Sequence, residues 1–382
     1  MEKQEISQSI NKVSMNLYAQ LKKSDDNLFI SPVSIFVALT MVYLGARKKT
    51  EEQLRNFLHL TIPQRRLHLK IRELTNLLLN EGNTTISLAN SIWADLAYEL
   101  SESFLYIIDE NYQGAIYKED FNNVDYVCEM INNWVSENTK KKINQIISPY
   151  SFDPNLKLIL LNAIYFNGKW KSVFKEKNTQ EASFYLSDKT TKPVLLMYLM
   201  EKFLYFENDE LQVLGLPYQD NVGSKQVSSY SMIIFLPKGK GSLERIEELL
   251  SLENIEKYIK RLVEKKVKIY IPKFKIETKY ELKKDLTEMG LILPFTSEAD
   301  FSGIIDGSKS IPPMIGDIIH KAFVEVNEEG TEAAAVTMIA MVPKAPPSQR
   351  EIPIFRADHP FMFIIRDSNT KTILFMGKLS NP

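Results

Sequence analysis

Residues 327–361 read NEEGTEAAAVTMIAMVPKAPPSQREIPIFRADHPF. Their opening is ambiguous, and the ambiguity is informative. Glu328, Glu329 and Glu332 with Ala333, Ala334 and Ala335 favour helix by intrinsic propensity. Yet Thr331, Ala333, Ala335 and Thr337 alternate with Glu332, Ala334 and Val336, so at strand period one face carries only small side chains. Such a face suits a strand that must slide into a tight space inside an existing sheet, with charge kept on the other side. Gly330, at its start, has open backbone conformations. The middle of the segment, with Met338 and Met341, and its proline-rich end fit neither a core nor an ordinary linker. The plain alternative is a surface helix running into a proline-rich loop.

Working outward, the chain on either side is strand-rich. LKLILLNAIYF (156–166) is short, apolar and partly β-branched, as expected of a strand buried on both faces. After about residue 180 come TKPVLLMYLMEKFLYF, LQVLGLPY, SMIIFLP and KVKIYIPKFKIE. The last two apolar runs, FMFIIRD and TILFMGKL, flank Ser368-Asn369-Thr370 as a hairpin. The first 80 residues are helical by period, through Ile10, Val13, Leu17 and Leu21, then through Ile35, Leu39 and Val42. Pro32 sits at an early position that a helix tolerates. Residues 122–147 are expected to form another helix, carrying Cys128 and Trp134. No internal repeat and no Gly/Ser linker divides the chain, so residues 1–382 are read as one domain.

Of 382 residues 44% are hydrophobic and 25% charged, which supports a sizeable core and argues against disorder. With 47 Lys and Arg against 48 Asp and Glu the net charge is −1, so no bulk field steers nucleic acid or acidic membrane. The single cysteine, Cys128, allows no internal disulfide and suits a reducing compartment, most simply as a buried structural thiol. MEKQEISQSINKVSMNLY lacks the apolar core of a secretion signal, and no apolar run approaches membrane-spanning length. The expectation is a cytoplasmic protein, with unconventional secretion as an exit route. The sequon Asn83-Thr84-Thr85 is read as chance. Enzyme readings fail for want of parts: there is no GxSxG, HExxH, CxxC or phosphate-loop pattern, and His59, His68 and His359 lack metal-ligand spacing.

NEEGTEAAAVT resembles the serpin hinge almost position for position, and FRADHPF with ILFMGKLSNP resembles the serpin C-terminal strands. NLFISPVSI, SIWAD, LILLNAIYFNGKW, the Phe174/Thr179/Phe184 spacing, GLPY, IYIPKFKIE and IIHKAFVEVNEEGTEA also fall in family order. FRADHPF and the missing leader look most like the ovalbumin-type intracellular branch. The resemblance implies an α+β serpin fold, with three β-sheets, about nine surrounding helices and an exposed reactive-centre loop at about 328–353. It implies a monomer, with loop-sheet polymers as a hazard. Its partner would be a target serine protease, held as a covalent acyl complex after the cleaved loop inserts into the central sheet, and no cofactor is implied. Glu328, Glu329, Gly330, Thr331, Glu332, Ala333, Ala334, Ala335, Val336 and Thr337 take the place of the hinge. No proline, ring or charge spoils its inward face; Val336, bulkier than the family often uses, falls on the outward one. This favours an inhibitor over a non-inhibitory chaperone, storage or binding member.

Counting fourteen residues on from Gly330, the family's near-fixed spacing, gives Lys344 as the bait, with Ala345 beyond the scissile bond. A long cationic side chain suits a trypsin-like pocket bearing a carboxylate. Arg350 is the competitor, but six extra extended residues leave roughly 20 Å of slack in the tether. Met341 or Val342 would instead suit a chymotrypsin- or elastase-like target, and a cysteine protease is a further alternative. The resemblance also assigns Ser31, Ser34, Asn162 and His320 to the cluster beneath the sheet where it parts, and Trp170 to the top, where the hinge enters. Two basic clusters, Arg65, Arg66, Lys70 and Arg72, then Lys257, Lys260, Arg261, Lys265, Lys266 and Lys268, match places where some members bind heparin-like polyanions. Solvated surface faces are the plain reading of both.

Overall fold

The computed structural model describes residues 2–22, 26–79, 84–112, 114–219, 230–239, 243–306, 313–331 and 351–382. In chain order the elements begin with α1 (Glu2–Leu21), β1 (Leu28–Ile30), α2 (Pro32–Gly45), α3 (Lys48–Phe57) and α4 (Gln64–Leu79). Next come β2 (Thr84–Asp95), α5 (Glu102–Tyr112), β3 (Ala115–Glu119), α6 (Val124–Asn138) and β4 (Leu158–Lys169). The middle holds β5 (Gln180–Tyr185), β6 (Thr191–Glu207), β7 (Leu211–Pro217), β8 (Tyr230–Pro237), α7 (Leu243–Leu249) and α8 (Leu252–Lys260). It continues through β9 (Val263–Pro272), β10 (Phe274–Glu281), α9 (Lys283–Glu288) and β11 (Asp317–Val326). The last elements are β12 (Gly330–Thr331), β13 (Ile354–Arg356), β14 (Phe361–Asp367) and β15 (Ile373–Leu379).

The central sheet runs β10-β11-β4-β2-β3, with β12 attached to one end of β4. β4 is the pivot of the fold. It pairs antiparallel with β2 and parallel with β11, where Ile159–Tyr165 face Asp317–Phe323 in seven register pairs. The side chains of β4 divide by parity, as strand geometry requires. Leu158, Leu160, Ile164 and Phe166 join the main core; Ile159, Leu161, Ala163 and Tyr165 join a second core beneath α6. The continuous apolar run read in the sequence is thus a strand covered on both sides.

On the main-core side lies α2, buried along nearly its whole length and capped by the Ser31 hydroxyl with Pro32 in its first turn. Behind it the larger sheet runs β1-β15-β14-β8-β7-β6-β9-β13, with β5 beside β6. The seventeen-residue β6 pairs with β5 along its first part, with β9 from Leu196 to Tyr205 and with β7 at its end, joining two of the three expected sheets into one hydrogen-bonded path.

On the other side α6 crosses the central sheet but ends at Asn138, not near residue 147 as its period suggests. Lys140 and Lys141 take left-handed backbone (φ 51° and 61°), which stops the helix. Residues 139–155 then return as an irregular strap whose Ile143, Ile146, Ile147 and Phe152 fill the second core. Their helix-like spacing reflects burial against β4 and β11 rather than helix. Asn132 of α6 pins the strap. Its Oδ1 accepts from the Ile146 and Ile147 N–H groups (2.8 and 3.2 Å), and its Nδ2 donates to the Ile147 carbonyl (2.9 Å).

Replacing Asn132 with alanine orphans backbone groups above a packed core, so Asn132→Ala is expected to cost about 2 kcal/mol in urea unfolding. A loss below a few tenths of a kcal/mol would show that the strap is held by its apolar side chains alone.

Candidate functional site: the mouth of the central sheet

β4 and β11 pair directly through their middle, but beyond Phe323 another segment enters between them. Gly330 and Thr331 pair antiparallel with Lys169 and Gly168 of β4. Gly330 is needed here for a different reason from the one expected. It has no unusual φ; instead a Cβ would lie 2.1 Å from the Gly168 carbonyl oxygen, so close backbone approach excludes any side chain. Thr331 is fully buried, and its hydroxyl meets that of Tyr218 at 2.9 Å.

The approach to the mouth is fastened at several points. The Trp170 backbone N–H donates to the Glu329 carbonyl (2.8 Å), and its indole N–H donates to the Asn327 carbonyl (3.0 Å). The Trp170 ring stacks on Tyr218 at 4.6 Å. Glu328, expected among outward-facing charges, is turned inward. It is buried, accepting from the Thr179 hydroxyl at 2.8 Å and pairing with Lys273 Nζ at 2.8 Å. Burial alone would raise this carboxyl's pKa, but the hydrogen bonds from Lys273 and Thr179 outweigh it and hold it below the usual range. Tyr218 and Lys273 are not singled out by sequence reasoning. The signal for Tyr218 is present in GLPY; Lys273 looks like one surface lysine among many.

Lower on the main-core face lies a polar row. His320, Asn162 and Asn90 are in register on β11, β4 and β2. Asn162 Oδ1 accepts from His320 Nδ1, and Asn162 Nδ2 donates to Ser34 Oγ and Asn90 Oδ1. His320 Nε2 accepts the Ser31 backbone N–H at 3.1 Å, so the imidazole is neutral with its proton on Nδ1. The Ser31 hydroxyl donates to the Leu374 carbonyl at 2.8 Å. The structure therefore brings Ser31, Ser34, Asn162 and His320 together at the N-terminus of α2 and adds Asn90, which sequence reasoning missed. Asn90 is legible only as a lone amide in an otherwise weakly polar strand. All five are essentially inaccessible to solvent, and burial pushes the His320 pKa down to about 3.

Residues 332–350, with Glu332 to Thr337, Met341, Val342, Lys344, Ala345 and Arg350, lie outside the described residues. The first basic cluster is on α4, where Lys70 pairs with Glu73 and Arg72 with Glu110. The second is divided. Lys257 and Lys260 end α8, Arg261 stacks over Phe206, and neighbouring strand residues Lys265 and Lys266 point to opposite faces of β9. Cys128, on the inner side of α6, is buried in the second core, and burial pushes its thiol up to about 11.

With Gly330 and Thr331 paired at the end of β4 above a buried polar row, comparison with known proteins supplies the family. Residues 8–382 match the family model described as serpin (serine protease inhibitor), and the chain belongs to the serpin family. It is 39% identical to an uncharacterized serpin-like protein of Thermococcus kodakarensis over 98% of this chain and 85% of that one. It is 38% identical to a leukocyte elastase inhibitor of Xenopus laevis over 94% of each chain. Among solved structures it is similar to human thyroxine-binding globulin complexed with thyroxine, at 27% identity and TM-score 0.89 over the whole of both chains. Serpins as a family are protease inhibitors rather than enzymes. No helix among the described residues is long and apolar enough to cross a membrane.

A histidine held neutral in the folded state but free to protonate in the unfolded chain contributes stability that is complete above about pH 6.5 and drains away as pH falls toward 3. Unfolding free energy should therefore fall across that window, with up to about 1.4 kcal/mol per pH unit traceable to His320. His320→Asn should flatten this slope; identical slopes in both proteins would show that the imidazole carries none of the acid sensitivity.

Proposed function

We propose that this chain inhibits a serine protease by offering residues 328–353 as bait and, after cleavage, inserting the freed part between β4 and β11. The whole of 1–382 would act as one domain in doing so. The observation that carries this reading is the pairing of Gly330 and Thr331 with the end of β4 while β4 and β11 remain joined below. One register continued from Thr331 opposite Gly168 would place Ala333, Ala335 and Thr337 opposite Phe166, Ile164 and Asn162. These are the main-core positions of β4. That row packs against α2, so it accepts small side chains and rejects large or charged ones. The alternating small residues in the hinge meet this requirement along the whole path.

Insertion exchanges one parallel seam for two antiparallel ones, and the gain in paired backbone and buried surface drives the change. The polar row must open first, because Asn162 and His320 tie the strands that separate. Lys344 is the proposed bait residue, cleaved before Ala345 by a trypsin-like enzyme. Its distance from Gly330 leaves a tether short enough to drag an attached protease the length of the sheet. Nothing in this scheme requires a cofactor. A reducing, cytoplasmic setting suits the buried Cys128 and the lack of disulfides.

Incubation with trypsin tests the reading. Inhibition predicts a covalent complex that survives denaturant, a released fragment beginning at Ala345, and a cleaved form with much higher thermal stability. Complete cleavage with full trypsin activity left over would establish a non-inhibitory binding or storage role instead. Thr331→Arg puts a long cation where a fully buried hydroxyl meets Tyr218. It should turn the inhibitor into a substrate, with complex yield falling at least tenfold; an unchanged yield would count against insertion as the trap.

A further inference from the structure

Strand register across β5, β6, β9 and β13 puts Gln180, Tyr198, Tyr270 and Arg356 on one face of the larger sheet. Together with Lys177 and Asn178, from the 3-10 turn before β5, they line a cavity of about 390 Å³. That volume lies at the lower end of the range for small-molecule sites.

The chemistry of the wall narrows the class of molecule it fits. Tyr198 and Tyr270 have ring centroids 4.9 Å apart, and the Arg356 guanidinium lies 5.0 Å over the Tyr270 ring. One side of that guanidinium is already fastened. Its Nε donates to Asp358 at 2.8 Å, and His359 Nδ1 meets the other oxygen of the same carboxylate at 3.0 Å. Its two terminal nitrogens have no acceptor among the described residues. They are the edge that takes a carboxylate by two parallel hydrogen bonds, and the Asp358 contact sets their position beforehand. Lys177 also has no carboxylate partner among the described residues. Glu181, the one acid among the described lining residues, alternates with Gln180 and Ala182 and so belongs to the opposite face of β5. An aromatic pair beside a preset guanidinium and an unpaired ammonium matches a flat ring that bears an acid.

We propose that this cavity binds a small planar aromatic carboxylate, with its ring against the Tyr198–Tyr270 pair and its carboxylate on Arg356 and Lys177. The same walls belong to the anchors at both ends of the segment 328–353. Asn178 and Gln180 flank Thr179, whose hydroxyl donates to the buried Glu328 at 2.8 Å. Arg356 lies in β13, which is tied to β9 on either side of it. The Lys268 N–H donates to the Pro353 carbonyl (3.0 Å), and the Ala357 N–H donates to the Tyr270 carbonyl (2.9 Å). A bound acid therefore bridges the two anchors, and its binding energy is added to both. Calling the segment a bait rests on the inhibitor reading; the cavity, its ligand and the bracing of both anchors do not.

The test titrates the full chain with 2-naphthoate and, separately, with 2-naphthylmethanol, which has the same rings and no charge, and follows both by ligand-detected NMR. Naphthoate should bind with a Kd below about 1 mM, at least about tenfold tighter than the alcohol. Arg356→Gln should weaken naphthoate about tenfold. Because that change also removes the Asp358 contact from β13, Lys177→Gln on the exposed turn is the second variant. It should weaken naphthoate about threefold and leave the alcohol unchanged. Equal affinities for the two compounds, or naphthoate binding that neither variant alters, would overturn the site. Hydrogen exchange reads the bracing: saturating naphthoate should slow exchange about threefold or more at residues 328–330 and 355–357. Protection missing at either end would overturn the link between the anchors. Neither arm uses a protease, so these failures are distinct from failure of the inhibitor reading, which incubation with trypsin decides.

Discussion

The parallel contact between β4 and β11 is the interaction on which the other features depend. Seven register pairs, Ile159–Tyr165 against Asp317–Phe323, join the two halves of the central sheet. Every neighbouring element bears on this seam. The strap after α6 covers one face of it, α2 and the polar row cover the other, and Gly330 and Thr331 occupy its upper end. Each strand edge here is satisfied by its partner, so the sheet can part only if a new strand takes up both sets of exposed backbone groups.

The polar row closes this seam by contacts that depend on register. An apolar cluster would hold the strands by area, and parting would expose surface gradually. Asn162 instead holds His320 on one side and Asn90 on the other, by hydrogen bonds that require correct register. Buried amides and imidazoles are costly when unpaired, so the arrangement penalises every slipped or half-open sheet. The neutral His320 fits this role, because a protonated ring could not accept the Ser31 N–H. At the upper end a buried ion pair, Glu328 with Lys273, anchors the strand that leads into the mouth.

Much of this is legible in the amino-acid sequence through particular residues. Asn162 and His320 stand out as polar positions in strands that are otherwise apolar, and Trp170 and the small-residue face of the hinge carry family resemblance. Other parts are not legible there. Asn90 and Tyr218 have ordinary sequence surroundings, and only register brings them opposite Asn162 and Thr331. Glu328 reads as one of three similar acids; its burial comes with a 2.8 Å contact to a lysine 55 positions earlier in the chain. The end of α6 is hidden because the strap's isoleucines keep a helical period while obeying a different partner.

The sequence by itself determined the strand and helix periods, the twice-buried character of β4, the alternation of small side chains from Thr331 to Thr337 and the membership of the family. These are local or compositional properties, encoded in spacing along the chain. The tertiary structure alone decided which side chains meet: the His320–Asn162–Asn90 row, the Thr331–Tyr218 contact, the burial of Glu328 and the basic-aromatic face beside β13. It also changed the meaning of Gly330, from a residue chosen for backbone freedom to one chosen because the Gly168 carbonyl leaves no room for a Cβ. Such contacts join residues far apart along the chain, and their geometry is fixed by register and packing, which no local pattern of residue types records.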